Sequence, residues 1–520
     1  MLLTILGCDR VMSTYNVFNE TEDEPDHIAS GMELLQFGTY TYERLHPPLV
    51  RLAVALGPYL NGNRLEVQRD GNIIGDTMVF HDGSRALHST GDYWGSLRLA
   101  RMGVLPFLIL LFSVTFVWAR SLHGEWAGVM AVALLSLLPP ILGHAGLATL
   151  DVPCAATVLL ALFLFTRWLD APTMRGAVLV GIAVAIAWLT KFSSIAFLGA
   201  GFALALAWTR PKVAWKQVAI AAVAGIVTLW AGYAFSVHRL DEAWGPHPRI
   251  DTILEQHPSL RPAFQLAMTT PLPLTELVIG VRDLGRKNEL GHESYLLGES
   301  RRTGWWSFFP VVLGVKTPLG FLLLALAGLV VTLRTQNKLP ALYALAIFAV
   351  CVVSRIDLGV RHILPIYPLL AMCAAPLIVN ISPRWVLLPS LLFAWTAMDS
   401  VRAHPDYLAH FNEIAGNQPE RILAESDLDW GQDLDRLAKR LRSLQVPSVS
   451  IRYFGSALLE ESGLPEVHAL DPRTPTTGWI AISAHYLYLE HAIDGSYDWL
   501  KRYEPRQHIG KSIDLFYIPE

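Results

Sequence analysis

Ten windows of mostly apolar residues, near 102–119, 126–143, 152–169, 174–190, 192–208, 216–236, 307–333, 340–355, 363–379 and 385–399, constrain this chain more than any motif in it. About 20 such residues can cross a bilayer as a helix, which satisfies its own backbone polar groups where no water is available. The rest of the composition agrees. Of 520 residues, 52% are hydrophobic and 17% charged, with a mean hydropathy of +0.36, whereas soluble chains carry about 25% charged residues. A soluble globular enzyme is excluded on these grounds. The formal charge of −4 gives no field that would draw nucleic acid. Cys8, Cys154, Cys351 and Cys373 lie in or beside apolar stretches without a CxxC, so neither a disulfide framework nor a zinc site is expected.

Lys and Arg in short loops set orientation. One set of connections carries Arg120, Arg167, Arg175, Arg210, Lys212, Lys216, Arg334, Lys338 and Arg384, opposed by only Glu125 and Asp170. That side is expected in the cytoplasm. The opposite, extracytoplasmic face then holds 9–101, 144–151, the turn at 191, 237–306, the turn at 356–362 and 400–520. By this parity the chain should cross the membrane before residue 9, where only eight apolar residues stand, so 1–18 reads as the remnant of a first transmembrane helix, the alternative being an N-terminus that sits outside without a crossing.

The expected organisation is therefore a first outer loop at 19–101, a transmembrane bundle of about ten helices at 102–399 with an outer loop at 237–306, and a soluble tail at 400–520. In the first loop, Ile28, Met32 and Leu35 have helical spacing behind Pro25, and His46-Pro47-Pro48-Leu49 opens a second short apolar run. Two helices lying along the bilayer surface are expected there, followed by a Gly-, Asp- and Asn-rich loop over 61–96. Prolines 246, 248, 258, 262, 271 and 273 argue against long helices in 237–306. In the tail, Leu434, Leu437, Leu441 and Leu444 mark a helix over 431–444, and alternation at 449–453 and 479–483 marks strands. A small α/β domain with partly parallel pairing follows.

The polar residues that interrupt apolar sequence collect near one face. Asp23 and Glu24 stand in the first loop, Asp151 at a span end, Lys191 within Trp188–Phe192, and Lys316 within Pro310–Pro318. Arg355, Asp357, Arg361 and His362 cap a hairpin. Taken singly, each has a structural explanation: the lysines can snorkel, Asp151 can cap a helix, and the loop acids can be solvated. Together they suit a pocket where an anionic, lipid-attached group meets a carboxylate base. A further cluster, Glu425-Ser426-Asp427-Leu428-Asp429-Trp430-Gly431-Gln432-Asp433, is denser than a helix cap requires. No HExxH, P-loop or GxSxG is present, and His144, His292 and His362 lack metal-ligand spacing.

The ordered set Asp23-Glu24-Pro25, His46-Pro47-Pro48-Leu49, Leu147–Asp151, Thr190-Lys191-Phe192, Trp305–Pro310, Lys316-Thr317-Pro318, Gly359–Pro365 and Ser426–Asp433 resembles glycosyltransferase family 39 over most of the chain. These are the polyprenyl-phosphate-sugar-dependent transferases related to protein O-mannosyltransferases. The resemblance implies an α-helical polytopic membrane protein with a C-type glycosyltransferase fold and an extracytoplasmic cavity. It implies a polyprenyl-phosphate sugar as donor, membrane lipid as partner and an acceptor of unknown class, with transfer by inversion, one carboxylate serving the attacking face. Asp23 maps onto the family's candidate base, with Glu24 beside it and Asp151 as a second acid. Lys191, Lys316, Arg361 and His362 are expected at the donor phosphate, and His46, Asp429, Trp430, Gln432 and Asp433 at the acceptor or in loop support. No cofactor is assigned with certainty, and a divalent metal near Asp23, Glu24 and Asp151 is compatible with the acids. The tail is unlike that of the protein mannosyltransferases, so the acceptor does not carry over. A secondary transporter, or an assembly protein with a partner-binding tail, are the alternatives. The first should show related halves and charges at midplane; the second leaves the aligned charges unexplained.

Overall fold

The computed structural model describes residues 1–66, 78–211, 214–242, 248–379 and 385–519. Lys212 and Arg384 of the basic set, Pro246, and part of the expected loop at 61–96 lie outside the described residues. The chain is largely helical. Leu2–Met12 (α1) is followed by Asp23–Phe37 (α2), Pro48–Leu60 (α3), Met78–His88 (α4) and Tyr93–Met102 (α5). The bundle continues with Leu105–His123 (α6), Glu125–Leu135 (α7), Pro139–Ala145 (α8), Asp151–Asp170 (α9), Met174–Thr190 (α10), Ser193–Thr209 (α11) and Trp215–Gly232 (α12). Pro248–Gln256 (α13), Arg261–Thr269 (α14) and Thr275–Leu290 (α15) form the long connection. Phe308–Lys316 (α16), Leu319–Leu333 (α17), Leu339–Val353 (α18), Ile366–Ala374 (α19), Pro376–Val379 (α20) and Leu387–Arg402 (α21) return to the bundle.

The ten apolar windows do not become ten full-length helices. Tyr93–His123, α9 and α12 are long and apolar enough to cross a membrane alone, and α7 with α8, bent by 67°, adds a fourth if the pair is one span. Other apolar helices, including α10, α11, α17 and α18, have 10–17 residues. Local chemistry accounts for the breaks. Lys191 adopts an extended backbone between α10 and α11, and Thr317-Pro318 divides the expected 307–333 span into α16 and α17 because proline cannot continue the hydrogen-bond ladder.

Two expectations for the outer segments are corrected. Met78–His88 is a helix, not loop, and buries Val79, Gly83, Ala86 and Leu87 along one side. In 237–306, α15 runs for 16 residues, since every proline of that segment precedes Leu274. The expected helices at 26–35 and from 48 are present as α2 and α3. Close approach fixes α2: a Cβ on Gly31 would collide with the Arg51 carbonyl of α3, and one on Gly83 of α4 with the Pro25 carbonyl. Gly38, left-handed at φ 70°, ends α2.

Two short antiparallel pairs, Val237–His238 (β1) with Leu272–Pro273 (β2) and Ser294–Leu296 (β3) with Glu299–Arg301 (β4), lie in the long connection. The C-terminal region carries Leu434–Ser443 (α22) and a five-stranded sheet of Ser448–Arg452 (β5), Glu466–Ala469 (β6), Gly478–Ser483 (β7), Gln507–Ile509 (β8) and Ile513–Ile518 (β9). Its order is β6-β5-β7-β9-β8, with β5 parallel to β6 and β7 and the remaining pairs antiparallel. Leu434, Leu437 and Leu441 of α22 pack on one face with Val449, Ile451 and Leu515.

Candidate functional site

A cavity of about 970 Å³ opens where α2, the α10–α11 break, α15, the end of α18, the turn at 360–363 and the tail meet. Its lining is mixed. Phe192, Ile195 and Ala196 of the α10–α11 region, Val281 and Leu284 of α15, and Val350 and Val353 of α18 supply apolar surface. Glu22, Asp23, Glu43, His46, Glu425 and His485 supply polar surface. Lys191, Lys287 and Arg361 are its cationic lining residues.

Asp23 is the first residue of α2. Its Oδ2 accepts from Arg361 Nη1 at 2.6 Å, and the carboxylate keeps 28% of its surface exposed to the cavity. Burial alone would push its pKa up, but Arg361, His27 and His46 outweigh that and hold it below the ordinary range. Arg361 is fixed from two further directions: Nε donates to the Leu358 carbonyl at 3.1 Å, and the guanidinium lies 4.4 Å from the centre of the Trp430 ring. Lys191 donates to Asp151 Oδ1 at 2.6 Å while lining the cavity; Asp151 itself is buried, 3% exposed, behind it. His362 lines the cavity and stacks on Phe309 at 6.2 Å.

The remaining expected residues take other places. Glu24 is fully buried and does not line the cavity. Its Oε1 accepts from Arg101 Nε at 2.8 Å and Ala148 N at 2.7 Å, and its Oε2 from Arg101 Nη2 and Thr21 N, both at 2.8 Å. Lys316 is also absent from the lining: its ammonium donates to the carbonyls of Leu408, at 2.9 Å, and Asp427, and sits 4.0 Å from the Phe411 ring centre. Asp429 accepts from Gly431 N and His485 N, Gln432 bridges Leu428 O and Trp430 N, and Asp433 accepts from Lys511 N and from Ser512. These three side chains brace the loop that presents Trp430 to the cavity. His46 lines it, with Nδ1 2.9 Å from Glu43 Oε2.

Asp26, Glu43 and His46 form a group capable of coordinating a divalent cation, with one ligand atom from each lying within 4.8 Å of the others. Its Asp26 lies about one turn along α2 from Asp23. Glu24 and Asp151, the other acids considered for a metal, are engaged by Arg101 and Lys191. Arg51 already bonds both carboxylates of the group, Asp26 Oδ2 at 2.7 Å and Glu43 Oε2. A cation there would have to compete with that guanidinium.

Several residues of this cavity carry no conspicuous sequence signal. Glu22, Glu43 and Lys287 are charged residues in outer segments, where charge is ordinary. Glu425 belongs to the dense acidic cluster, yet only the fold turns it toward Arg361 and Asp23. Burial, with Asp427 and Asp23 adding to it against Arg361 and Lys287, pushes the Glu425 carboxyl up to about 8. The ordinary value is 4.5, so the folded chain holds this proton through a range where the unfolded chain has lost it. Stability is then lost as pH rises from 4.5 through about 8. Glu425→Gln is expected to raise the melting temperature most above pH 8 and hardly at all near pH 5; an equal gain at both pH values would place the carboxyl in water.

The comparisons follow from this architecture. The crystal structure of ArnT from Cupriavidus metallidurans bound to undecaprenyl phosphate matches over 99% of this chain and 97% of that one, at TM-score 0.52 and 14% identity. The chain shares its fold with that ArnT. The apo structure of the same ArnT matches at TM-score 0.50 with equal coverage and identity. The apo Archaeoglobus fulgidus oligosaccharyltransferase is more distant, at TM-score 0.47 and 10% identity over 97% of this chain and 72% of that one. Residues 98–233 match the family model for dolichyl-phosphate-mannose-protein mannosyltransferase. No curated protein matches. The chain is thus structurally related to known glycosyltransferases, and its apolar helices make it a membrane-associated protein.

Proposed function

We propose that this protein is a multi-pass membrane glycosyltransferase of the family 39 type, which moves a sugar from a polyprenyl-phosphate donor to an acceptor on the extracytoplasmic side of a bacterial inner membrane. The observation that carries the reading is the mixed lining of one cavity, where apolar residues of α11, α15 and α18 occur together with Asp23 and the cations Lys191, Lys287 and Arg361. The apolar lining suits a prenyl chain, the cations its phosphate, and the carboxylate the hydroxyl to be glycosylated. The undecaprenyl phosphate bound to ArnT is consistent with such an occupant.

In the proposed step the acceptor oxygen bonds to the anomeric carbon, the bond from that carbon to the phosphate oxygen breaks, and the electron pair leaves with polyprenyl phosphate. The acceptor proton passes to Asp23. With one carboxylate on the attacking face and cations on the leaving face, the anomeric centre inverts. The Arg361–Asp23 pair gives this arrangement an order. While Arg361 holds Asp23, the carboxylate is a weak base. A donor phosphate offers Arg361 two oxygens in a bidentate fit, and drawing the guanidinium toward it releases Asp23 and raises its proton affinity. Lys191, supported by Asp151, supplies the second positive charge.

Membranes containing the protein should consume members of a panel of polyprenyl-phosphate-linked pentoses and hexoses and release polyprenyl phosphate only when a suitable acceptor is added. Turnover of soluble nucleotide sugars with no lipid carrier would refute the donor assignment.

A further inference from the structure

We propose that Lys287 of α15 is a third cation for the donor phosphate, in the role that the sequence suggested for Lys316. The proposal rests on the lipid-donor reading above. Lys316 is spent on the Leu408 and Asp427 carbonyls and does not line the cavity. Lys287 does line it, about one turn along α15 from Leu284, and so stands next to the apolar wall that Val281 and Leu284 supply. A headgroup whose chain lies along that wall would meet this ammonium.

Its state of bonding sets it apart from the other two cations. Lys191 is paired with Asp151 and Arg361 with Asp23. Among the described residues, no hydrogen bond or ion pair engages the Lys287 ammonium. The backbone beneath it is nevertheless anchored: the neighbouring Asn288 Oδ1 accepts from Arg355 N at 3.1 Å and Ser354 Oγ at 3.3 Å, fastening the end of α15 to the end of α18. Gly285, which also lines the cavity, has no atom within 4 Å of where a Cβ would stand, so the approach along this turn is open. The charge of Lys287 is felt at Glu425, His362 and His292 around the same space. An ammonium with no hydrogen bond or ion pair to any described residue can exchange water for a phosphate oxygen without first breaking such a pair. Arg361 and Lys191 must each give up a carboxylate to do so. Lys287 is therefore the cation that can engage the phosphate first.

The test uses the full-length protein in detergent, with a sugar-free polyprenyl phosphate as probe and inorganic phosphate as a competitor. Lys287→Met, which keeps the stem and removes the charge, should weaken polyprenyl-phosphate binding roughly 10- to 100-fold, the worth of one charge-assisted contact. Lys287→Arg should recover most of that binding. In turnover, donor KM should rise in Lys287→Met while kcat at saturating donor stays within about twofold. A structural role would instead lower thermal stability and leave the arginine variant no better than the methionine one. Wild-type binding by Lys287→Met, alongside weakened Arg361→Ala and Lys191→Ala variants, would overturn the proposal and leave the donor reading intact. Failure of the unsubstituted protein to bind polyprenyl phosphate would overturn both.

Discussion

Asp23→Asn is expected to lower transfer to acceptor by about 10²–10⁴-fold, the usual worth of a positioned general base. Donor binding should survive and tighten modestly. The reason is the 2.6 Å pair with Arg361: the amide keeps the shape of the side chain, surrenders its charge, and leaves the guanidinium free for phosphate. The informative measurement is therefore a pair of numbers, the transfer rate and the polyprenyl-phosphate affinity, on protein that elutes normally on detergent size exclusion. Asp151→Asn supplies the contrast. It loosens Lys191, which should appear as weaker donor use. If Asp151→Asn abolishes turnover at saturating donor while Asp23→Asn keeps most of it, Asp151 takes the role of base.

Glu24→Gln should act on folding, and strongly. Arg101 directs its guanidinium to Glu24 and to the carbonyls of Tyr15, Phe18 and Asn19, with five contacts of 2.8–2.9 Å for its five N–H groups. Both residues are fully buried. Removing one charge of such a pair strands the other, at a cost of about 3–5 kcal/mol, a large part of the roughly 5–15 kcal/mol that holds a typical protein folded. Glu24→Gln should give little monodisperse protein and a markedly lower melting temperature, whereas Asp23→Asn should not. Normal stability with activity reduced a hundredfold would instead bring Glu24 into the chemistry. In sequence, a carboxylate beside the candidate base Asp23 reads as its helper and not as half of a buried ion pair.

That contrast shows where the sequence stops being informative. Lys191 and Lys316 give the same signal, a lysine interrupting apolar residues, because the cost of burying a charge is visible in one dimension. What offsets the cost is not. For Lys191 it is Asp151, forty residues away, with part of the ammonium still open to the cavity; for Lys316 it is two backbone carbonyls about a hundred residues away, and any residue type can supply a carbonyl. The same limit applies to the acids of Ser426–Asp433: Asp429 and Asp433 are consumed by backbone N–H groups of 485 and 511 that no motif announces. Helix existence was legible where apolar spacing was clean, as in α2, α3 and α22. Helix length in the bundle was not, because a hydropathy window passes over a lysine or proline that the backbone must break around. The apolar lining of the cavity was invisible for the opposite reason: Val281 and Leu284 look like any half-buried helix face until α11 and α18 are set around the same cavity.

The contacts between the first loop and the tail also bear on when the molecule becomes competent. Asn19 Nδ2 donates to the Gly431 carbonyl at 2.8 Å across 412 positions of sequence, its Oδ1 accepts from Leu434 N at 2.8 Å, and Glu22 N donates to the Trp430 carbonyl at 3.0 Å. At about 5–20 residues per second, a ribosome needs roughly 20–80 s to travel from one partner to the other. Throughout that interval Asp23 is in place, but Trp430, which flanks Arg361, has not been made. On the proposed mechanism a chain truncated before Ser426 is expected to lack transfer activity, because it would lack both the Trp430 ring beside Arg361 and the loop braced by Asp429 and Asp433.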